Sequence, residues 1–133
     1  MKFGVFDHLD DANVPQEQLF ENRLRLTETY DKAGFYGYHV AEHHATPLGL
    51  ATSPGIYLSA VAQRTKTLRF GPMVYLLPFY HPIRLIEEIC MLDRMSKGRL
   101  QLGVGRGVSQ LESAAYAVDF QNSGRQYHEP FSS

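Results

Sequence analysis

The chain has 133 residues, 44% of them hydrophobic and 20% charged, and its formal net charge is -1 at pH 7. This length fits one domain with a real core, and the near-neutral charge without a long basic run argues against nucleic acid or a membrane surface as a partner. No apolar run reaches the eighteen residues of a membrane span, and one cysteine with no signal-peptide core indicates a reducing cytoplasm.

The first half of the chain alternates between strand-like and helix-like patterns. Residues 2–9 are rich in Phe and Val and predict a strand, whereas apolar residues recur at helical spacing over 15–33. Residues 36–41 predict a second strand. The polar, Gly- and Pro-containing stretch 42–53 predicts a loop, and Ser53-Pro54 then opens a second helix that ends near Thr65.

The second half continues the same alternation. The nearly unbroken apolar run 68–77 predicts a strand covered on both faces. His81-Pro82 opens a third helix that stops at Gly98, and residues 99–104 predict a fourth strand. Residues 109–118 predict a fourth helix, and the polar tail 119–133 predicts a loop or frayed end.

The order βαβαβαβα predicts an α/β fold with a parallel sheet and right-handed crossovers, in a single domain over residues 1–133. A closed (β/α)8 barrel needs about 250 residues. Four βα units therefore predict the first half of such a barrel. Strands one and four would each have an unpaired edge, so we expect a fragment of a longer protein or an associating chain.

The stretch from His39 to His43 matches the H-x-x-E-H pattern of some zinc proteases. That pattern works on a helix, where residues four apart share one face. On a strand, with a rise of about 3.3 Å per residue, the two histidines would be roughly 13 Å apart. We therefore expect no metal, and we interpret His39 as a packed or partly exposed strand residue.

The glycine-rich run from Gly103 to Gly107 follows a strand and precedes a helix. It departs from the dinucleotide fingerprint G-x-G-x-x-G, since its third glycine comes one residue early. Gly105 and Gly107 would permit close backbone approach, and Arg106 could pair with a phosphate near the helix N-terminus. The alternative is a tight turn with a solvated arginine.

Three ionisable residues, Glu42, His43 and His44, follow the second strand directly. Ligands in parallel α/β folds lie at the carboxyl ends of strands, and a histidine there suits proton transfer near neutral pH. Two exposed loop histidines with a local acidic partner would explain the same residues. Spacing alone leaves both interpretations open.

Five blocks together resemble the bacterial luciferase-like flavin monooxygenases, close to the alkanal monooxygenase branch, over about residues 1–125. The blocks that carry the resemblance are Met1-Lys-Phe-Gly4, Ala41-Glu-His-His44, Leu77-Pro-x-x-His-Pro-x-Arg84, Leu92-Asp-x-Met-Ser-Lys-Gly-Arg99 and Gly103-Val-Gly-Arg-Gly107.

The resemblance implies a (β/α)8 barrel that binds reduced FMN at the carboxyl ends of its strands and uses O2 to oxidise an aldehyde or another small organic substrate. It places His43 on the active-site histidine, between Glu42 and His44, and Arg106 on an arginine that contacts the FMN phosphate. It also places Met73-Val74 on a non-prolyl cis peptide beneath the flavin ring.

The resemblance further implies a flavin reductase as electron source and a homodimer. We expect that dimer to form through helices two and three or by closure of two half barrels. Two alternatives remain open. One is reduction with the deazaflavin F420 as cofactor, which related barrels use, and the other is a non-catalytic flavin-binding or structural remnant.

Overall fold

The computed structural model describes residues 1–119 and 121. Four helices alternate with short strands, as the sequence pattern predicts. In chain order the elements are β1 (Gly4–Asp7), α1 (Gln16–Lys32), β2 (Gly37–Val40), α2 (Pro54–Arg64), β3 (Arg69–Pro72), β4 (Tyr75–Leu76), a 3-10 turn (Leu77–Phe79), α3 (Pro82–Met95), β5 (Val104–Gly105) and α4 (Gln110–Ala115).

All strand pairs in the described part of the chain are parallel. β2 lies between β1 and β3, with Tyr38 opposite both Val5 and Phe70. β4 and β5 form a second parallel pair, and a single bridge joins Phe70 to Leu100. The prediction of parallel βα units is confirmed, and within the described residues β1 has one neighbour only.

The predicted third and fourth strands are wrong in detail. The third does not run unbroken from 68 to 77, because the ladder stops at Pro72. The Met73-Val74 peptide bond that follows is cis. After this break the chain pairs with the segment that leads into β5, where the Tyr75 N–H donates to the Gly103 carbonyl at 2.9 Å. The fourth strand is correspondingly reduced to a bridge at Leu100 and the two residues of β5.

The fourth helix is shorter than predicted. It begins after Ser109, whose hydroxyl accepts a hydrogen bond from the Glu112 N–H at 3.2 Å, as an N-cap does. It ends at Ala115, and Ala117 has a left-handed backbone with φ of 54°. The predicted tail at 119–133 lies outside the described residues, apart from 119 and 121.

The core lies between the three-stranded sheet and helices α1 and α2. It includes Tyr38, Phe70, Leu58 and Val61, all almost fully buried. The buried Tyr38 hydroxyl satisfies its polarity by donating to Asp7 Oδ2 at 2.7 Å. No helix in the part of the chain that the structure describes is long and apolar enough to cross a bilayer.

One carboxylate ties the end of α1 to the loop that enters β3. Asp31 accepts hydrogen bonds from the backbone N–H groups of Lys66, Thr67 and Leu68, at 2.6, 3.0 and 2.7 Å. The Thr67 hydroxyl donates to the same carboxylate at 2.6 Å. Burial raises the pKa of Asp31, but the hydrogen bonds outweigh it, and the pKa is lowered overall.

A single guanidinium joins the ends of α2 and α3. Arg99 donates to the Ala62 carbonyl at 2.7 Å and to the Ser96 carbonyl at 2.9 Å. It also donates to the Thr65 hydroxyl at 2.7 Å and to the Leu68 carbonyl at 3.0 Å. Its planar fork of donors therefore satisfies carbonyls that the helix ends leave unpaired.

Candidate functional site

A cavity of about 400 Å³ lies at the carboxyl ends of the strands. The turns after β1, β2, β3 and β5 bring together residues that are far apart in the sequence. Every residue that the sequence analysis selected for the site lines this cavity except His44. The lining comprises Phe6, His8, Ala41, Glu42, His43, Met73, Val74, Leu76, Gly105, Arg106, Gly107, Val108 and Glu112.

His44 is buried behind the cavity, next to Glu42. Its Nε2 atom lies 2.6 Å from Glu42 Oε1, and its Nδ1 atom lies 2.8 Å from the Tyr116 hydroxyl. The other Glu42 oxygen accepts from the Leu76 N–H at 3.0 Å, and the Tyr80 hydroxyl hydrogen-bonds the same carboxyl. His44 is thus a buried, satisfied residue and not the exposed loop histidine of the alternative interpretation.

Burial raises the pKa of Glu42 above its ordinary value of 4.5. The hydrogen bonds from His44, the Leu76 N–H and Tyr80 favour the ionised form and oppose this shift without cancelling it. Glu42 is therefore a carboxyl group at the cavity wall that takes up a proton more readily than an exposed glutamate does.

The His43 ring has a different hydrogen-bond partner from the His44 ring. Its ring is partly exposed, and its Nδ1 atom lies 3.2 Å from Glu112 Oε1. The same oxygen accepts a hydrogen bond from the His44 backbone N–H at 2.9 Å. One carboxylate on α4 therefore contacts the second strand's loop twice, across 68 residues of chain.

His8 and Glu112 belong to the site, and sequence reasoning missed both of them. The rings of His8 and His43 are parallel, with centroids 5.6 Å apart and an interplanar angle of 10°. The position of His8 at the tip of the first strand was an available signal. Glu112 gives no comparable signal in the sequence, because it stands on a helix three residues after a cap.

The glycines of the 103–107 run are required by close packing. A Cβ atom at Gly105 would come within 2.6 Å of the Val74 side chain, and one at Gly103 within 2.6 Å of the Pro72 carbonyl oxygen. Gly107 has a φ of +79°. The tight-turn interpretation therefore holds for the glycines, while Arg106 is exposed and lies at the cavity.

The zinc pattern from His39 to His43 does not form a ligand set. His39 lies within β2 and is half-buried, as expected of a packed strand residue, and burial lowers its pKa. No group of three or more His, Cys, Asp or Glu side chains among residues 1–119 and 121 could hold a metal ion.

Residues 1–130 match the family model described as luciferase-like monooxygenase. The chain belongs to this family. Among its luciferase-like relatives, it is 33% identical over 114 residues to the oxygenase component of the flavin-dependent trigonelline monooxygenase of Acinetobacter baylyi. It is 32% identical over 124 residues to the alkanal monooxygenase alpha chain of the Kryptophanaron alfredi symbiont. An uncharacterised protein of Sinorhizobium fredii, y4wF, is 50% identical over 119 residues.

These matches cover 84%, 92% and 90% of the chain but only 32%, 35% and 35% of the relatives. The chain thus spans about a third of the length of the luciferase-like relatives it matches.

Solved luciferase-like structures share the fold. The monooxygenase RslO1 from Streptomyces bottropensis superimposes with a TM-score of 0.91 at 33% identity, over 97% of this chain and 40% of that one. The oxygenating constituent of 3,6-diketocamphane monooxygenase from Pseudomonas putida, solved with FMN, gives 0.85 at 25% identity, over 95% and 37%. A coenzyme F420 dependent reductase from Methanopyrus kandleri gives 0.70 at 22%, over 90% and 30%, which shows the fold alone.

Proposed function

We propose that this chain supplies half of the active site of a flavin-dependent monooxygenase, which uses reduced FMN and O2 to oxidise an aldehyde or another small organic substrate. One observation carries the proposal. The residues on which the family resemblance places flavin contacts and proton transfer come from separate loops and line one cavity at the strand ends. The carboxyl ends of the strands are also where enzymes of this fold hold their ligands.

The cavity fits FMN in size and in chemistry. Its volume of about 400 Å³ lies within the range of roughly 300–1,000 Å³ that is usual for small-molecule sites. Met73 and Val74 offer an apolar wall for a flat ring, and about half of the Met73 surface is exposed. Arg106 supplies a cation that can bind a phosphate through two parallel hydrogen bonds.

Reduced FMN, when bound, supplies the electrons that activate O2. We assign the protein's part to His43, Glu42 and His44. His43 reaches the cavity and moves a proton to or from the bound groups. Glu42 and His44 hold the adjoining wall in place through their buried hydrogen bond, and Gly105 and Gly107 permit the turn that presents Arg106.

The proposal includes two protein partners. A separate flavin reductase delivers reduced FMN, in line with the relative that is named as an oxygenase component. A second copy of the chain covers the apolar surface of α2 and α3, where Ile56, Ile83 and Met91 are exposed. Sedimentation should give a dimer, and a compact monomer at micromolar concentration would contradict it. With one cysteine, exposed and free, we place the protein in the cytoplasm.

Two alternatives stay open. The family resemblance keeps F420 open as the cofactor, since related barrels use it. The chain also spans only about a third of its relatives, so it could bind flavin without turnover.

Titration of the chain with FMN, and then with reduced FMN, O2 and a long-chain aldehyde, separates these possibilities. Binding with oxidation of the aldehyde supports the monooxygenase, and binding alone supports the non-catalytic alternative. A parallel titration with F420 tests the other cofactor. If neither flavin nor F420 binds, the proposed function is wrong for this chain.

A further inference from the structure

Glu112 occupies an unusual position for a carboxylate. It lies in the first turn of α4, its side chain is only 5% exposed, and its backbone N–H is held by the Ser109 cap. A buried carboxylate is expensive unless hydrogen-bond donors surround it. Its partners are not on its own helix. They are two consecutive residues, His43 and His44, at the tip of β2.

The contacts of Glu112 determine which histidine nitrogen carries a proton. Oε1 lies 2.9 Å from the His44 backbone nitrogen, which can only donate, and 3.2 Å from His43 Nδ1. An ionised carboxylate can only accept. His43 can therefore make its hydrogen bond only if Nδ1 bears the hydrogen, and in the neutral ring Nε2 is then left with its lone pair.

Two further residues flank the His43 ring. The His8 ring lies parallel to it, at 5.6 Å between centroids. On another side is Gly49, where an added Cβ would come within 3.2 Å of both Cβ and Cδ2 of His43. The ring thus has a carboxylate, an aromatic face and a backbone segment as neighbours, and all three are part of the chain without any ligand.

We propose that Glu112 is a positioning residue that holds His43, a residue of the cavity lining, in its Nδ1–H tautomer, so that Nε2 keeps the lone pair that can accept a proton. Its consequence for oxidation rests on the proposed function, since a base there would accept a proton from a group bound in the cavity. The tautomer itself is a property of the chain without any ligand.

The test is the tautomer of His43, measured by long-range ¹H–¹⁵N correlation spectroscopy on the ¹⁵N-labelled chain at a pH where the ring is neutral. We expect the Nδ1–H form, in contrast to the Nε2–H form that free histidine favours. Glu112→Ala should change His43 to mainly Nε2–H, whereas Glu112→Gln, which keeps an acceptor oxygen, should retain Nδ1–H.

Ser109→Ala is the matched control. It removes the hydroxyl that caps α4 but leaves the carboxylate, so Nδ1–H should persist. An Nε2–H tautomer in the wild-type chain would overturn the proposal, as would an unchanged Nδ1–H tautomer in a folded Glu112→Ala variant. If Glu112→Ala fails to fold, the His43 tautomer in the wild type and in Glu112→Gln still tests the proposal, since Nε2–H in either one would contradict it.

Flavin binding is scored separately from the tautomer. If His43 has Nδ1–H but the chain binds no FMN, the positioning role of Glu112 is supported and the proposed function is wrong. If the chain binds FMN but His43 has Nε2–H, the proposed function is supported and the positioning role is wrong.

Discussion

Oε1 of Glu42 lies 2.6 Å from Nε2 of His44, and both side chains are almost completely buried. This pair forms the wall between the cavity and the interior. His44 Nδ1 hydrogen-bonds the Tyr116 hydroxyl, and the second oxygen of Glu42 accepts from the Leu76 N–H at the start of the 3-10 turn. The second strand's loop is thereby connected to β4 and to the segment after α4.

The stability that Glu42 contributes should fall as the pH rises. Burial raises its folded pKa above 4.5, so the native state binds more protons than the unfolded chain in the interval between the two pKa values. The contribution is complete below pH 4.5 and is lost as the pH rises through the folded pKa. A tenfold difference in proton affinity between the folded and unfolded states corresponds to about 1.4 kcal/mol.

Urea unfolding of the wild-type chain and Glu42→Gln at several pH values measures this effect. The free energy of unfolding of the wild type, relative to the variant, should decrease from pH 4.5 upward. Glu17→Gln, at an exposed position, is the control. A relative stability that increases with pH would contradict the prediction.

Asp31→Ala should lower the free energy of unfolding by roughly 2 kcal/mol at pH 7. The substitution removes the acceptor of three backbone N–H groups at a largely exposed site. The freed donors can bind water there, so the loss should be far smaller than the sum of three charged hydrogen bonds at about 1.5–3 kcal/mol each. The opposing gain, from taking a negative charge off the C-terminal end of α1, is about 0.3–1 kcal/mol.

The effect of Asp31→Ala should also depend on pH with the opposite sign to that of Glu42. The folded pKa of Asp31 is lowered below 3.8, so its contribution is present above that value and is lost as the pH falls through the folded pKa. Asp10→Ala, at an exposed carboxylate, is the control. Equal losses at neutral pH and in acid below the folded pKa would refute the assignment.

Gly71→Ala should destabilise the fold by roughly 3 kcal/mol or more, at the upper end for overpacking. A Cβ there would overlap the Gln101 carbonyl oxygen, whose backbone cannot move away without losing the Gln101 N–H bond to the Phe70 carbonyl at 2.8 Å. Gly55→Ala would meet the movable end of Glu88 and should cost less than about 1 kcal/mol. Thermal unfolding of both variants compares them directly, and similar losses would be inconsistent with this reasoning.

Arg106→Ala should weaken FMN binding by about 10- to 100-fold, the equivalent of one charge-assisted hydrogen-bonding group. Fluorescence titration should show that riboflavin, which has no phosphate, binds the variant and the wild type equally. Arg106→Lys should fall between them, because lysine keeps the charge but not the paired donors. An equal loss for both flavins would remove the phosphate from the explanation.

His43→Ala should reduce flavin-dependent oxidation by about 10²- to 10⁴-fold, the range for a general acid or base. The ring is partly exposed, so folding should be preserved, and circular dichroism would check this. His81→Ala removes an exposed histidine before α3 that does not line the cavity, and it should leave turnover unchanged. Unimpaired oxidation by the His43 variant would exclude this residue from proton transfer.

Periodicity predicted the element order well, because α1, α2 and α3 each bury apolar side chains on one face, among them Leu19, Leu58 and Leu92. It could not predict the break after Pro72. Residues 68–77 are apolar almost throughout, and apolar character does not record which strand each residue pairs with. The pairing depends on Gly71 and Gly103, which admit the neighbouring backbone.

The site was predictable only where its residues follow a strand. Glu42, His43 and Arg106 stand at strand ends, and the parallel fold brings such ends together. The contact between His43 and Glu112 spans 69 residues and depends on how α4 packs against the second loop. No local pattern in the sequence specifies that packing.

The hydrogen bonds of Arg99 lie away from the cavity. Leu92 to Arg99 is one of the five blocks that carry the family resemblance, yet the guanidinium of Arg99 binds Ala62, Thr65, Leu68 and Ser96, none of which lines the cavity. This block therefore contributes to the way two βα units join. Enzymes with different substrates can share such a scaffold. This block therefore identifies the family, whereas the reaction depends on the loops that line the cavity at the carboxyl ends of the strands.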